Sequence, residues 1–497
     1  MKGMPRIRRS AVAWGGLVAG PVLAGLAYLA LPTTYAGVAG DLISFGSSGR
    51  ATAALAVWMA VWWTTEAIPV YATALLPLAL FPTLGIATID AAAAPYAHEL
   101  IFLFMGGFVL ALAMERWGLH RRIAFSVLSV VGDRASRMVG GFMFASAALS
   151  MWVSNTATAV MMLPIALSVV RLAGDDEDGR FRVALLLGVA YGCSIGGIGT
   201  LIGTPPNLFL ASYARSELGV EISFVRWMAF GVPLVACFLP AAWWLLTRVL
   251  YPLGDRRIQG GREGVRHALA ELGPLGRGER ITMFVFAITA VSWVARPLLV
   301  GLPWAPFAGL TDTGIAIVAA LSLFCIPVDA RQRVFAMDWE TAVRLPWGVL
   351  VLFGGGLSLA AAIRHNGVGD FIGSQFANFG TLPTFVLVVA IVTLVVFLTE
   401  LTSNTATTAT LVPILAGLAS GLGTAPMLLI VPAAVAASCA FMLPVATPPN
   451  AIVFGSGYIS MFEMNRAGLL LNIVGIALIT ALTYALAIPA LGISIPP

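Results

Sequence analysis

The sequence predicts an all-α polytopic membrane protein made of two inverted repeats, and three observations support this prediction. Of its 497 residues, 59% are hydrophobic and only 10% are charged, whereas soluble proteins carry about 25% charged residues. The polar motif Ser154–Thr158 recurs as Ser403–Thr407, and Thr204–Asn207 recurs as Thr447–Asn450. The chain is therefore an internal duplication whose apolar surface needs a bilayer as its solvent.

The duplication has a nearly constant spacing. Ser154 lies 249 residues before its counterpart Ser403 (403 − 154), and the same offset relates Pro164 to Pro413. It also relates four further residues to their counterparts, namely Phe104, Gly106, Gly107 and Gly118 to Phe353, Gly355, Gly356 and Gly367. The Thr-Pro-Pro-Asn motif recurs with an offset of 243 (447 − 204). Landmarks in the same order indicate that the two halves share one plan.

Charge and cysteine content narrow the functional class. The net charge of +5 comes from basic residues in short loops, which indicates membrane topology and gives no case for nucleic-acid binding. All four cysteines lie in apolar segments without paired spacing, as expected of small buried side chains rather than disulfides or metal ligands. The sequence has no heme, zinc or P-loop signature, so we expect no such cofactor.

The first half begins with a basic N-terminus and an apolar stretch at 11–32, which we interpret as a retained first helix with a cytoplasmic start. Segment 138–173 is 36 residues long (173 − 138 + 1), has a polar centre and is flanked by Arg137 and Arg171. Because basic ends favour the cytoplasm, we expect this segment to enter the membrane and return as an inner hairpin. The other apolar segments of this half are 51–66, 68–86, 97–128, 181–215 with a break at Gly199–Pro206, and 225–251.

The second half follows a polar linker at 253–280, which holds six arginines and is expected in the cytoplasm. A second hairpin at 384–421 has no basic residue at either end, as expected if it opens outward. The remaining apolar segments are 281–300, 311–327, 339–379, a broken segment at 425–456, and 466–490.

Apart from the hairpins, six crossings in the first half and five in the second make eleven (6 + 5). A cytoplasmic N-terminus then leaves Pro497 outside a plasma (inner) membrane, and the repeated unit begins on opposite sides. We predict an N-terminal segment at 1–50, inverted repeats at 51–252 and 281–497, and the linker between them. This plan is typical of secondary transporters, whose site lies at the midplane where matched broken helices meet.

The polar breaks supply the chemistry of such a site. Backbone without helical hydrogen bonds is tolerated in a membrane only inside protein or against a water-filled cavity. The Ser-Asn-Thr tips and the Thr-Pro-Pro breaks free carbonyl oxygens and helix N-terminal amides there. Carbonyl and hydroxyl oxygens suit Na⁺, whereas amides, hydroxyls and asparagine side chains suit an anion. A single Ser-Asn-Thr would equally fit hydrogen bonding between helices, but two matched copies favour a site.

Other interpretations stay open on the residues alone. Glu400, beside the second tip, is an intramembrane carboxylate that serves either proton or ion coupling or a structural hydrogen-bonded role. A channel is compatible with broken helices, although two mirrored hairpins favour alternating access. An intramembrane enzyme would need paired aspartates or a serine–histidine pair inside the bilayer, and the sequence shows neither.

At these motifs, and over roughly residues 50–490, the sequence resembles the divalent anion/sodium symporter family of sodium-coupled dicarboxylate, citrate and sulfate carriers. The resemblance implies a homodimer with a fixed scaffold domain and a transport domain that moves as an elevator. It implies symport of Na⁺ with a C4-dicarboxylate such as succinate, malate or fumarate. The alternatives within the family are a sodium-independent dicarboxylate or citrate exchanger and a sulfate or other inorganic-anion symporter.

The family's site residues carry over onto matching positions of this chain. One Na⁺ site would use Ser150, Ser154, Asn155 and Gly203, and the other would use Thr399, Thr402, Asn404 and Ala446, largely through main-chain oxygens. The substrate would be bound by Ser154, Asn155, Thr156, Thr204, Ser403, Asn404, Thr405, Thr447 and Pro448. The resemblance implies no catalytic residue.

Overall fold

The computed structural model describes residues 11–37, 41–173, 179–258, 261–301, 309–376 and 383–493. The basic N-terminal residues and Pro497, which the predicted orientation uses, lie outside these ranges. The described residues are mainly α-helical, which confirms the all-α prediction. The first-half helices are α1 (Ala11–Ala30), α2 (Ser47–Thr65), α3 (Val70–Thr73), α4 (Leu76–Thr83), α5 (Ile89–Ala93), α6 (Glu99–Arg116), α7 (Leu119–Ser129), α8 (Ala135–Ser150), α9 (Asn155–Leu172), α10 (Arg180–Gly197), α11 (Pro205–Leu218) and α12 (Phe224–Trp244).

The linker and the second half contain the remaining helices. They are α13 (Gly261–Glu271), α14 (Arg277–Val300), α15 (Asp312–Cys325), α16 (Trp339–Ala342), α17 (Trp347–His365), α18 (Val368–Phe376), α19 (Thr384–Thr399), α20 (Asn404–Gly421), α21 (Pro426–Ala436), α22 (Pro448–Phe454), α23 (Met461–Leu482) and α24 (Ile488–Leu491). Two short antiparallel pairs join β1 (Thr34–Ala36) to β2 (Leu42–Ser44) and β3 (Pro327–Asp329) to β4 (Val334–Phe335).

Within the described ranges, seven helical stretches are long and apolar enough to cross a membrane: Ala11–Ala30, Ile89–Arg116, Asn155–Leu172, Phe224–Leu250, Arg277–Val300, Trp347–His365 and Met461–Leu491. Four shorter apolar stretches accompany them. One of the seven, Asn155–Leu172, is the returning arm of the predicted inner hairpin. The count of eleven crossings therefore stays a prediction.

Several predicted segments consist of two helices rather than one. Segment 97–128 divides at Gly118 into α6 and α7, and segment 339–379 divides at Gly367 into α17 and α18. Both glycines have φ of +71°, a left-handed conformation that glycine adopts without a steric penalty. They are one of the pairs related by the offset of 249, so the duplication extends to backbone conformation. Segment 68–86 likewise divides into the short helices α3 and α4.

Helix α10 lies at the centre of the protein. All side chains from Val183 to Gly197 are buried, and the helix packs against α8, α9, α12 and α22. By contrast, α14 exposes large apolar residues on its outer face, including Val291 at 66% and Leu298 at 77%. Such a face suits contact with lipid. The break that follows α10 therefore lies inside the protein, where irregular backbone is tolerated in a membrane.

The polar linker is folded where it is described. The amide of Ala135 donates to the carbonyl of Arg256 over 2.9 Å, and the amide of Ile258 donates to that of Asp133 over 2.7 Å. Helix α13 then packs against α7 and α9. The arginine-rich segment is therefore attached to the base of the first hairpin.

Candidate functional site

The first hairpin turns between α8 and α9 at residues 151–154. Ser154 caps α9, because its Oγ accepts a hydrogen bond from the amide of Ala157 over 3.2 Å. Across the turn, the hydroxyl of Ser150 donates to Oδ1 of Asn155. This bond holds the Asn155 amide at the tip, beside the amides that open α9.

The break between α10 and α11 is held by Asn207, the last residue of its Thr-Pro-Pro-Asn motif. Its Nδ2 lies 3.1 Å from the carbonyl oxygen of Gly197, 3.3 Å from that of Ile198 and 2.8 Å from that of Thr200. These carbonyls lie at the end of α10 and in the turn that follows it, where the helical hydrogen-bond pattern stops, and the side-chain amide of Asn207 supplies the donor. Asn207 was not among the predicted site residues, although its place directly after the two prolines was a usable signal.

The hairpin tip and the break meet at Gly197. A Cβ atom on Gly197 would lie 2.8 Å from Oδ1 of Asn155 and 3.2 Å from the carbonyl oxygen of Gly203. The hydroxyl of Thr200 also donates to the carbonyl of Met151 and ties the break to the tip. The structure thus brings together Ser150, Asn155 and Gly203, three residues that the sequence assigned to one cation site.

The second half repeats these bonds. The hydroxyl of Thr399 donates to Oδ1 of Asn404 over 2.8 Å, as Ser150 does to Asn155. Nδ2 of Asn450 lies 3.2 Å from the carbonyl oxygen of Ala440 and 3.1 Å from that of Leu443. Subtracting the offset of 243 from these residue numbers gives 207, 197 and 200, the residues of the first break. The two repeats therefore correspond down to the individual hydrogen-bond donors and acceptors.

Thr402 bonds within the second hairpin, and Ala446 repeats in the second break the bond from the amide of Gly203 to the carbonyl of Thr200 in the first. The hydroxyl of Thr402 lies 2.9 Å from the carbonyl oxygen of Leu398 and 2.6 Å from the hydroxyl of Thr407, so it binds within the hairpin. Ala446 lies in the second break, where its amide donates to the carbonyl of Leu443. The hydroxyl of Thr399 makes a second bond, of 2.9 Å, to the carbonyl of Ala437. Of the predicted set, the structure joins Thr399 directly to Asn404.

Glu400 makes the hydrogen bonds that one of its two interpretations predicted. Its carboxylate is 3% exposed and accepts backbone amides from Phe441 at 2.7 Å, Met442 at 3.0 Å and Leu443 at 3.1 Å. The side-chain amide of Asn472 on α23 donates to it over 2.8 Å. A buried carboxylate with four N–H donors is fully solvated by the protein. Glu400 therefore holds the second break against the second tip.

The first half has no counterpart of this carboxylate. The matching residue is Met151 (400 − 249), and the amides of Ile198 and Gly199 donate instead to carbonyls one turn earlier, over 3.2 Å and 2.9 Å. The first break thus closes as a helical turn, whereas the second depends on a side chain from the hairpin. The two halves therefore share the hydrogen bonds of their asparagines, but only the second half has a carboxylate that binds the amides of its break.

The substrate-binding candidates differ in exposure between the halves. Thr156 at the first tip is exposed, whereas its counterpart Thr405 is only 9% exposed. Thr204 and Thr447, at the two breaks, are 4% and 5% exposed, and Pro448 is exposed. A cavity of about 800 Å³ borders α9 from Ala157 onward. The cavity thus lies beside the helix that begins at the first tip.

The donor set at the tips and breaks is one of neutral oxygens and amides. Among the described residues, no three His, Cys, Asp or Glu side chains are grouped so that they could hold a metal ion. Thiolate and imidazole ligands select transition metals. The arrangement present offers carbonyl, hydroxyl and amide oxygens beside helix N-terminal amides, which together can receive a hard cation and an anion.

Comparison with known proteins decides the family. A model described as "Sodium:sulfate symporter transmembrane region" matches residues 42–490. The chain belongs to this family. The family places it among transporters rather than enzymes, as the sequence predicted. The match covers both hairpins and both breaks.

Sequence relatives agree with this assignment, and two solved structures have a similar fold. A protein of Staphylococcus saprophyticus named sodium-dependent dicarboxylate transporter SdcS is 40% identical over 489 residues, which cover 97% of this chain and 92% of that protein. The Staphylococcus aureus protein of the same name is 41% identical over 453 residues, covering 89% and 86%. The Alcanivorax borkumensis YdaH transporter structure, at 16% identity, has a TM-score of 0.60 over 95% of this chain and 96% of its own. Neisseria gonorrhoeae MtrF, at 12% identity, has a TM-score of 0.60 over 97% of each chain. These two structures support the fold alone.

Proposed function

We propose that the protein is a secondary active transporter that couples Na⁺ entry to the uptake of C4-dicarboxylates such as succinate, malate and fumarate. The matched bonds from Ser150 to Asn155 and from Thr399 to Asn404 carry this proposal. The relatives named sodium-dependent dicarboxylate transporters align with nearly the whole chain, which supports both the cation and the substrate class.

Each asparagine group would hold one Na⁺ ion. Hydroxyl, amide and backbone oxygens around Asn155 and Asn404 offer partial negative charge without a carboxylate, which suits a monovalent cation. The proposed ligands are Ser150, Ser154, Asn155 and Gly203 for one ion, and Thr399, Thr402, Asn404 and Ala446 for the other. Glu400 would support the second group indirectly through residues 441–443.

The dicarboxylate would lie between the two tips. Helices α9 and α20 begin there, and their first amides and positive dipole ends favour an anion. The proposed contacts are Ser154, Asn155, Thr156, Thr204, Ser403, Asn404, Thr405, Thr447 and Pro448. These contacts are uncharged, so bound Na⁺ would supply the positive field, and affinity for the anion would depend on Na⁺ through binding linkage.

The transport cycle we propose uses the family's plan of two inverted repeats in a homodimer, with eleven crossings and an elevator motion. The exposed Thr156 and the buried Thr405 support a state open at the inner hairpin. With the N-terminus in the cytoplasm and the C-terminus outside the plasma membrane, that opening would face the cytoplasm.

A sulfate symporter is the second candidate, since the matching family model carries sulfate in its description. Proteoliposomes with labelled succinate test both. We expect uptake driven by an inward Na⁺ gradient, with sulfate a weak competitor. Counterflow that needs no Na⁺ would indicate an exchanger instead, and strong sulfate competition would favour the second candidate.

Two substitutions test the site. Asn155→Ala and Asn404→Ala each remove an amide that is bonded across a hairpin turn, and we expect uptake to be abolished at normal expression. Asn465→Ala, on α23 and outside both tips and both breaks, serves as the matched control and should transport normally. Unchanged uptake in either site variant would refute the assignment.

A further inference from the structure

The cavity beside the first tip has walls from three parts of the chain. It is enclosed by the end of α6 and the start of α7, by α9, and by residues 341–344. The wall from Ala157 to Ile165 is about 12 Å long at 1.5 Å per residue. It begins one residue after Thr156, which is exposed. The lining of the cavity thus begins at the first turn of α9, next to the first tip in the sequence.

Three arginines line this cavity. Arg121 and Arg344 are exposed, and within the described parts of the chain neither side chain makes a hydrogen bond or an ion pair. Arg116 pairs with Asp338 through Nη2 over 2.5 Å, but its Nη1 is buried and has no hydrogen-bond partner among the described residues. An orphan buried guanidinium nitrogen is costly unless an anion or water reaches it.

Asp338 pairs with Arg116, but among the described residues no carboxylate pairs with Arg121 or Arg344. Glu115 is the one lining carboxylate, and it forms no ion pair within the described ranges. Nδ1 of His120 lies 2.9 Å from the carbonyl oxygen of Met114. Counting the lining groups together with Asp338, and with histidine neutral, gives three positive charges and two negative, a net +1 (3 − 2). The α9 wall is apolar, with Val160, Met161 and Ile165, and low-dielectric walls focus such a field.

Membrane topology alone does not account for this placement. Arginine anywhere at this end of the molecule would serve the positive-inside rule, as Arg331 does in the exposed turn between β3 and β4. Arg121 and Arg344 instead line one cavity from different parts of the chain, and that cavity borders the first turn of α9 at Ala157. Their convergence points to an anionic occupant.

We propose that this cavity is a second, low-affinity binding station for the dianionic substrate, between the first tip and the cytoplasm. The identity of the occupant depends on the proposed function, whereas the presence of an anion station does not. Arg121, Arg344 and Nη1 of Arg116 bind its carboxylates without Na⁺. The station concentrates the dicarboxylate where it leaves or enters the tip.

Saturation-transfer NMR on the purified full-length protein tests this proposal, with succinate as the probe. In sodium-free buffer of low ionic strength, we expect transfer to the succinate methylene protons that raised salt suppresses. When Na⁺ is added, we expect a second component of succinate binding, with a higher affinity than the sodium-free one. In the double variant Arg121→Ala/Arg344→Ala, the affinity for succinate without Na⁺ should fall about tenfold. The sodium-dependent binding should remain, and its presence shows that the variant is folded.

Two further variants separate the outcomes. Asn155→Ala/Asn404→Ala should lose the sodium-dependent component and keep the sodium-free one, so failure of the proposed symport site is distinguishable from failure of the station. Arg331→Ala removes one arginine at the same end and should change neither. The station is refuted if the wild-type protein shows no sodium-free component, or if Arg331→Ala weakens that component as much as the double variant does.

A kinetic measurement gives a second readout. For succinate leaving the arginine-rich side, we expect the double arginine variant to raise KM by about three- to tenfold with kcat unchanged. Arg121→Lys/Arg344→Lys keeps the charges and should restore most of the affinity. An unchanged KM, or a fall in kcat alone, contradicts the proposal.

Discussion

The substitution Glu400→Gln tests how far the second break depends on one carboxylate. In the wild-type protein Oε1 accepts from Phe441, Met442 and Asn472, while Oε2 accepts from Met442 and Leu443 at 3.1 Å each. A glutamine keeps the Oε1 bonds and places an NH2 group against the amide of Leu443. It therefore loses the charge and leaves one buried amide without an acceptor.

The size of the effect follows from these bonds. A hydrogen bond to a charged group is worth about 1.5–3 kcal/mol, and a buried unsatisfied donor costs about 1–3 kcal/mol. If about 2 kcal/mol of this cost falls on the arrangement that holds the second cation, Na⁺ affinity falls about 30-fold, since 1.4 kcal/mol is tenfold. We expect the half-saturating Na⁺ concentration for succinate uptake to rise accordingly, with succinate uptake partly recovered at high Na⁺.

Glu463→Gln is the matched control, because Glu463 also accepts a backbone amide but lies half-buried at the start of α23, away from both breaks. It should leave the Na⁺ dependence unchanged. The structural role of Glu400 would be refuted by a glutamine variant with wild-type Na⁺ dependence and thermal stability. A variant that keeps its Na⁺ affinity but loses a pH dependence present in the wild-type protein would instead support proton coupling at Glu400.

Two further predictions concern the first tip. Gly197→Ala places a Cβ atom 2.8 Å from Oδ1 of Asn155, so the side-chain amide of Asn155 must move. We expect the affinity of sodium-dependent succinate binding to fall at least about tenfold. The control Gly15→Ala places its Cβ atom in open space and should leave this binding unchanged. Equal binding by both variants contradicts the close approach. Thr156→Cys, on a background without exposed native cysteines, should react rapidly with a small maleimide, whereas Thr405→Cys, at a position 9% exposed, should react slowly. Equal labelling rates would show that the two tips do not differ in access.

The sequence determined where the helices break. Proline removes a donor and prevents helix continuation, so each Thr-Pro-Pro motif marks a break, and the structure begins α11 at Pro205 and α22 at Pro448. The repeated Ser-Asn-Thr motifs located both hairpin tips, because a polar cluster in an apolar run needs partners inside the protein. These signals are local, so they can be interpreted from the sequence without the tertiary structure.

Only the tertiary structure decided which groups meet. Glu400 accepts amides 41–43 residues further along the chain, and its pattern alone allowed coupling or support. The hydroxyl of Thr402 bonds to Leu398 and Thr407 within the hairpin, which leaves its main-chain oxygen as the group proposed for the second cation. The cavity beside the first tip is lined by Arg116 and Arg121 from one part of the chain and by Arg344 from another. Hydrogen bonds and charge pairs across such separations depend on how helices pack, and packing is set by the whole chain rather than by any one motif.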